Sequence, residues 1–202
     1  MNTATATAWW VQHAERQGTA WVEHYWEDWQ APHRGYILGA LSLLGPITSV
    51  YEIGCNAGPN LRLLSQHMPD VELAGQELCK EAAEWAESHL CVPVSVGTLP
   101  DCLLSEPDQS VDVALSCYTL AYLDTPDAAE TVAHLTRMAR KAIVLLEPMP
   151  MSTLQPGPCR FDGLPEWRHD YEGLLPGWRL TWKWPIVPSV QNLNGLAIYQ
   201  PL

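Results

Sequence analysis

The sequence predicts an α/β fold on a parallel sheet, and two observations carry that expectation. From residue 49 to residue 147, short apolar runs alternate with stretches of helical spacing, the rhythm that a parallel sheet with helical crossovers produces. Each apolar run also ends in small, polar or acidic residues. The length of 202 residues suits one domain with a sizeable core, because such a chain buries roughly 70% of its unfolded surface.

The elements follow in order. Five of the ten tryptophans (Trp9, Trp10, Trp21, Trp26 and Trp29) fall in the first 30 residues, within a segment of helical character. That is too much aromatic surface to leave in water, so the segment either packs on the sheet or forms a lid over a planar or cationic ligand. The Thr-Ala stretch at residues 3–8 reads as a frayed end. Strands are expected at residues 49–53, 71–76, 92–96, 111–116 and 142–147. Pro59, just after Gly58, suits a first helical position, where its missing N–H would have had no partner. Cys79, Ala82, Ala83, Ala86 and Leu90 share a helical face, as do Ala128, Val132, Leu135, Met138 and Ala139 behind Thr125 as N-cap and Pro126 in the first turn. Beyond Glu147, the cluster Pro148, Pro150, Pro156, Gly157 and Pro158 predicts a long loop without regular structure, with Cys159 in it. A short helix around residues 165–175 then leads to alternating runs at 178–184 and 196–199, read as an antiparallel strand pair.

Composition narrows the function. The net charge is −12 with three lysines (Lys80, Lys141, Lys183), which disfavours a nucleic-acid partner, since phosphate contacts supply most of that affinity. No apolar run nears the roughly 18 residues of a membrane span, and the first residues show neither a basic leader nor an apolar signal core. A soluble cytoplasmic protein is expected. The six cysteines lack a C-x-x-C pair and the seven histidines lack an H-E-x-x-H arrangement, so reduced thiols and no metal site are expected.

The most informative stretch is Glu52-Ile53-Gly54-Cys55-Asn56-Ala57-Gly58-Pro59, a strand running into a glycine-containing turn and a helix. Such a turn lets backbone approach a ligand closely. A dinucleotide fingerprint G-x-G-x-x-G fails here, because Asn56 and Pro59 occupy its second and third glycine positions. Glu52 at the strand end repels a pyrophosphate and attracts an ammonium or sulfonium group. Asparagine at position 56 is compatible with the turn, since it enters left-handed backbone conformations more readily than most residues.

This stretch resembles motif I of the class I S-adenosylmethionine-dependent methyltransferases, E/D-x-G-x-G-x-G, with Asn56 in place of the middle glycine. The resemblance implies a Rossmann-like seven-stranded sheet of order 3-2-1-4-5-7-6, strand 7 antiparallel and helices on both faces. It also divides the single domain into a tryptophan-rich helical cap, residues 1–46, and a cofactor-binding core, residues 47–202. Residue by residue, it places Glu52, Gly54, Cys55, Asn56 and Gly58 around the cofactor S-adenosyl-L-methionine, and Glu77 with Leu78 at its ribose. Thr98 and Leu99, in a segment similar to the family's G-D-A-x-x-L-P, fall near the adenine. Asp112 to Leu123 is similar to the motif IV region, with Ser116 and Cys117 at the cofactor and Tyr118 and Tyr122 toward the acceptor. Arg34 matches by position the arginine that pairs with the cofactor carboxylate.

Methyl transfer from a sulfonium demands mainly alignment and exclusion of water. If the acceptor is a hydroxyl or carbon acid, a base is needed, and His33, His24, His169 and Glu147 are candidates. The chain contains neither [D/N/S]-P-P-[Y/F] after the fourth strand nor a C5-cytosine nucleophile set, which argues against DNA-base methylation. A small or medium-sized acceptor is the expectation. A nucleoside- or nucleic-acid-modifying enzyme, a non-methylating S-adenosylmethionine enzyme and a noncatalytic partner subunit stand as alternatives.

Overall fold

The computed structural model describes residues 2–150, 156–161, 164–189 and 192–202. Three helices come first: α1 (Thr3–Gln17), α2 (Thr19–Glu27) and α3 (Pro32–Leu43). Then alternate β1 (Ser49–Ile53), α4 (Pro59–His67), β2 (Glu72–Glu77), α5 (Lys80–Leu90), β3 (Val94–Val96), β4 (Val111–Cys117), α6 (Thr125–Met138) and β5 (Ala139–Pro148). The last part holds β6 (Gly157–Phe161), β7 (Leu164–Arg168), the one-turn α7 (Tyr171–Leu174), β8 (Trp178–Ser189) and β9 (Asn192–Pro201). Among the described residues no helix is long and apolar enough to cross a membrane.

The seven-stranded sheet runs β3-β2-β1-β4-β5-β9-β8. Strands β1 to β5 pair in parallel, whereas β9 runs antiparallel to both β5 and β8. This is the expected order once the separate β6–β7 ribbon is set aside. Side chains of successive strand residues point to opposite faces. Val50, Val113, Val144 and Leu146 therefore pack under Ile37 and Leu41 of α3 and Leu61 and Leu64 of α4. Tyr51, Ala114, Ile143 and Leu145 pack on the other face, against Ala128, Val132, Leu135 and Met138 of α6. All four of those α6 residues are fully buried.

Four expectations are corrected. Residues 3–8 are not a frayed end but the first turns of α1, capped by Asn2, whose side chain accepts from the Thr5 N–H at 3.2 Å. Small residues suit this helix because Thr3 and Ala6 are buried, and Thr3 exchanges two hydrogen bonds with Asp124: the Thr3 N–H donates at 3.3 Å and the Asp124 N–H donates to Thr3 Oγ1 at 2.9 Å. The N-cap of α6 is Asp124 rather than Thr125, its carboxylate accepting from the Asp127 N–H. Of the segment after Glu147, expected to lack regular structure, Gly157 and Pro158 instead begin β6, which carries Cys159 and pairs antiparallel with β7, while residues 151–155 lie outside the described ones; Pro158 is tolerated because a two-stranded ribbon leaves N–H positions unpaired. The expected helix at 165–175 shrinks accordingly to α7, with Pro165 to Arg168 in β7. Between β3 and β4 the connection makes only a 3-10 turn, Asp101–Leu103, where a crossover helix commonly lies.

Asp112, which belongs to the motif IV resemblance, sits at the opposite end of β4 from the strand tips and fastens the sheet there. It is 2% exposed and accepts from the Thr48 N–H at 2.7 Å, Lys141 Nζ at 3.0 Å and Arg140 Nε at 2.9 Å. Burial alone would raise its pKa, but these three donors outweigh burial and hold the carboxyl below its ordinary value. Its contribution to stability is present above the ordinary carboxylate range and is lost as pH falls. Asp112→Asn is expected to lower stability by about 2–3 kcal/mol at pH 7, the cost of spoiling a buried charged network. Urea unfolding of the two proteins at pH 7 and pH 3.5 checks this, the difference shrinking at the lower pH.

Candidate functional site

The C-terminal tips of β1, β2 and β4 open into one cavity of about 410 Å³, within the range of small-molecule sites. It lies where the strand order reverses between β1 and β4, the crevice that such sheets offer to ligands.

The tip of β1 supplies Glu52, which is 1% exposed. Its Oε1 accepts from Asn60 Nδ2 at 2.5 Å, while Oε2 is buried without a hydrogen-bond partner. Asn60 in turn accepts from Arg34 Nη1 at 2.7 Å, and Arg34 donates to Asp28 through Nη2 at 2.9 Å and to its carbonyl through Nε at 2.8 Å. A row Glu52–Asn60–Arg34–Asp28 thus runs along one wall. Burial pushes the Glu52 carboxyl up to about 7, against the opposing pull of Asn60 and Arg34.

The turn after β1 holds three left-handed residues, Gly54 (φ +61°), Asn56 (φ +51°) and Gly58 (φ +80°). Asn56 does enter the left-handed region, as its residue type allows. The glycines, however, serve packing more than space for a ligand. A Cβ on Gly54 would lie 2.2 Å from Thr119 Oγ1, and one on Gly58 would lie 3.0 Å from Ala86 Cβ and 3.1 Å from Leu90 Cδ1. The turn is squeezed between the loop after β4 and helix α5.

At the tip of β2, Glu77 ties two turns together: Oε2 accepts from the Asn56 N–H and Oε1 from the Cys79 N–H, each at 2.8 Å. A carboxylate oxygen has capacity for a further donor, so the group remains available to the cavity. Burial raises its pKa although three backbone N–H groups oppose the shift. Gln76 links the same turns, accepting from the Gly54 N–H at 3.1 Å and donating to the Gly97 carbonyl at 2.6 Å.

Beyond β4, Tyr118 takes φ +54°, rare for a bulky residue and the kind of strain that gathers at functional sites. The loop is held there by Glu147, fully buried at the end of β5, which accepts from Ser116 Oγ at 2.6 Å and from the N–H groups of Thr119, Leu120 and Ala121 at 3.0–3.2 Å. The roof comes from Ala6, Thr7 and Trp10 of α1, Tyr25 of α2 and Glu166 of β7.

Of the residues singled out from sequence, His33, Arg34, Glu52, Gly54, Cys55, Asn56, Glu77, Leu78, Thr98, Leu99, Cys117, Tyr118 and Tyr122 line this cavity together. Gly58 and Ser116 do not: the first packs on α5 and the second binds Glu147. Among the four base candidates only His33 reaches the cavity. His169 is buried, with Nε2 3.1 Å and 3.2 Å from the carbonyls of Leu120 and Leu123, so Nε2 carries a proton and braces that loop. His24 packs its ring against Tyr25, and Glu147 is the loop clamp. The packing reading of the tryptophan-rich segment holds for part of it, and one tryptophan lines the cavity. Trp21 is core, Trp26 and Trp29 stack under Arg62, and Trp10 faces the cavity. Sequence reasoning missed Asn60, Asp28 and Glu166. Asn60 had a signal, being a polar residue in the first turn of the helix that leaves the motif.

Residues 50–142 match a family model described as a methyltransferase domain. That stretch runs from β1 into β5 and includes the turn after β1. Solved structures of this fold align over 80–99% of the chain. The phosphoethanolamine N-methyltransferase 1 of Haemonchus contortus, in complex with phosphoethanolamine and S-adenosylhomocysteine, aligns with TM-score 0.70 at 15% identity, over 99% of this chain and 49% of that one. The magnesium protoporphyrin IX methyltransferase of Synechocystis PCC 6803, with bound S-adenosylmethionine, aligns with TM-score 0.69 at 12% identity, over 96% and 97%. The PH0226 protein of Pyrococcus horikoshii OT3 aligns with TM-score 0.63 at 13% identity, over 87% and 94%.

The raised pKa of Glu52 has a signed consequence. A carboxyl whose folded pKa lies above its unfolded value favours the fold at low pH, and that contribution is lost as pH rises through the folded pKa, here about 7. Glu52→Gln is therefore expected to gain on the wild type by about 2–3 kcal/mol between pH 5 and pH 8 without ligand. Calorimetric unfolding of both proteins across that range checks it, and a constant difference would show that Glu52 ionises normally.

Proposed function

We propose that the chain binds S-adenosyl-L-methionine in the cavity and transfers its methyl group to a small or medium-sized acceptor. The observation that carries this is Glu52 Oε2, a buried carboxylate oxygen without a partner at the motif I turn. It asks for a cationic donor and would repel a phosphate at the same place. The row behind it has the complementary chemistry for an amino-acid moiety. Glu52 takes the ammonium and Arg34, 5% exposed, offers its guanidinium to the carboxylate. Glu77 accepts from the ribose hydroxyls, and Leu78, Thr98 and Leu99 flank the adenine.

When bound, the cofactor supplies a methyl group on a sulfonium, whose departure as a thioether needs no further activation. The protein's work is alignment and exclusion of water. Trp10, Tyr25 and the β7 residue Glu166 close the cavity over the strand tips. Tyr118 and Tyr122 have their phenols pushed up by burial, so near neutrality both are uncharged donors that can orient an acceptor. His33 has its pKa lowered by burial and then by Arg34, which leaves the imidazole neutral and able to accept a proton. Residues 1–46 act in this reading as a cap on the core of one domain. Its setting is the cytoplasm, where free thiols such as those of Cys55, Cys79 and Cys117 persist.

The wild-type chain is expected to bind S-adenosylmethionine and S-adenosylhomocysteine in a calorimetric titration, and Glu77→Ala to weaken that binding by about 1–3 kcal/mol, the range for a lost charge-assisted hydrogen bond. An unchanged dissociation constant removes Glu77 from the site. Labelled cofactor offered with a metabolite extract and, separately, with RNA and DNA tests the acceptor. Label entering polymer alone overturns the small-molecule reading.

A further inference from the structure

We infer that the acceptor is a phenol, whose hydroxyl gives its proton to His33 and accepts a hydrogen bond from Tyr118. This rests on the methyl-transfer reading above and adds the substrate class and the catalytic base to it.

His33 and Tyr118 are neighbours on the cavity wall, their rings edge-on with centroids 5.8 Å apart and planes at 74°. His33 stands half-buried in the first turn of α3. Burial and then the charge of Arg34 hold its pKa below the ordinary value, against the opposing pull of Asp28, so the imidazole is neutral. A neutral imidazole carries one nitrogen lone pair that can take a proton. Tyr118 is the complementary group. Its hydroxyl accepts from Asn194 Nδ2 at 3.0 Å, which leaves its own O–H to donate, and burial keeps that phenol protonated. Glu147 grips Ser116 and Thr119 on either side of Tyr118, which fixes where the hydroxyl sits. Tyr122 differs, because it already donates to Glu166 Oε1.

One proton acceptor beside one donor selects the reacting atom. A hydroxyl gives its proton to the imidazole, offers one lone pair to Tyr118 and keeps another for the methyl carbon. A neutral amine has a single lone pair and loses it to the Tyr118 donor. An ammonium has none, and a carboxylate brings no proton for His33. Acidity then separates a phenol from an alkanol: a phenol ionises near pH ~10, far closer to an imidazole, and proton transfer follows that driving force. Trp10, Tyr122 and Leu123 line the cavity as well, with Trp10 edge-to-face on Tyr122, and give a planar ring aromatic and apolar surface.

The step balances on these residues. The phenol O–H proton passes to the imidazole of His33. The oxygen lone pair forms the O–C bond to the methyl group as the C–S bond breaks, that electron pair remaining on sulfur. The products are an aryl methyl ether and a thioether, and the imidazolium returns its proton to solvent.

The test offers labelled S-adenosylmethionine to the full chain with three probes on one frame: 4-methylphenol, 4-methylaniline and 4-methylbenzoate. Label is expected to enter 4-methylphenol, as its methyl ether, at least about tenfold faster than either other probe. His33→Gln is expected to slow 4-methylphenol about a hundredfold, the lower end of what a general base supplies. That slowing is expected to shrink about tenfold for 4-nitrophenol at pH 8.5, since this probe arrives as its anion and has no proton to give. His33 is not among the buried residues of α3, so the exchange leaves the core intact, and S-adenosylhomocysteine titration of the variant reports its fold. Equal rates on the three probes, faster label in the aniline or the benzoate, or no label in 4-methylphenol overturns the phenol assignment. Equal slowing of the two phenols overturns His33 as the base. The wild-type series decides the acceptor class even if the variant does not fold. Each of these failures leaves cofactor binding standing, whereas a chain that takes no S-adenosylmethionine sinks the methyl-transfer reading and this inference together.

Discussion

The structure is arranged around a carboxylate that has been taken out of water without a cation touching it. Glu52 sits at the tip of the central strand, and its nearest compensation is an amide, Asn60, with Arg34 one step further away. Moving an unpaired carboxylate into an apolar interior is costly enough that such groups neutralise or find a partner. Here the chain stops short of pairing it directly. Arg34 is turned aside by Asp28, and that diversion keeps one oxygen of Glu52 open toward the cavity.

Around this centre the strand tips are cross-linked by side chains rather than by one another. Glu77 joins the first turn to the second, Gln76 joins the first to the third, and Glu147 gathers the loop after the fourth. Each uses a buried polar side chain to satisfy backbone N–H groups that leave the ends of a parallel sheet without ladder partners. The consequence is a rigid rim. A cavity bounded by such a rim keeps its shape before any ligand arrives, which lowers the ordering cost of binding. The roof is built differently, from α1, α2 and the β6–β7 ribbon, whose contacts with the rim are aromatic edges and single hydrogen bonds such as those between Thr3 and Asp124.

Most of the core was legible in the sequence, and the limits follow from what each signal measures. Strands β1, β4 and the second half of β5 are buried on both faces, so they read as largely apolar runs bounded by polar residues. Helix α6 read clearly because its buried face repeats with helical spacing. The motif turn was recognisable, and thirteen of the fifteen residues named from it and its neighbours meet in one cavity. Gly58 and Ser116 show why the rest did not. A glycine is demanded equally by a ligand and by a helix packed close behind it, and sequence does not separate the two. The β6–β7 ribbon was hidden because proline density is a local signal for irregular chain, whereas the ribbon is fixed by pairing between its two strands. Glu166 went with it. The residues 151–155 of that segment lie outside the described structure.

No α-helix lies between β3 and β4, and one side chain stands in for one. Arg137, in the last turn of α6, donates to the carbonyls of Leu103 and Glu106 and to the carboxylate of Asp108, holding the connecting loop against the sheet. That same loop begins at Thr98 and Leu99 on the cavity wall. The wall beside the cleft therefore hangs from a half-buried guanidinium in the last turn of α6. Wear at that anchor, by repacking of α6 or by loss of the arginine, would be felt as slackness at the mouth of the cleft, far from any residue that touches what the cleft holds.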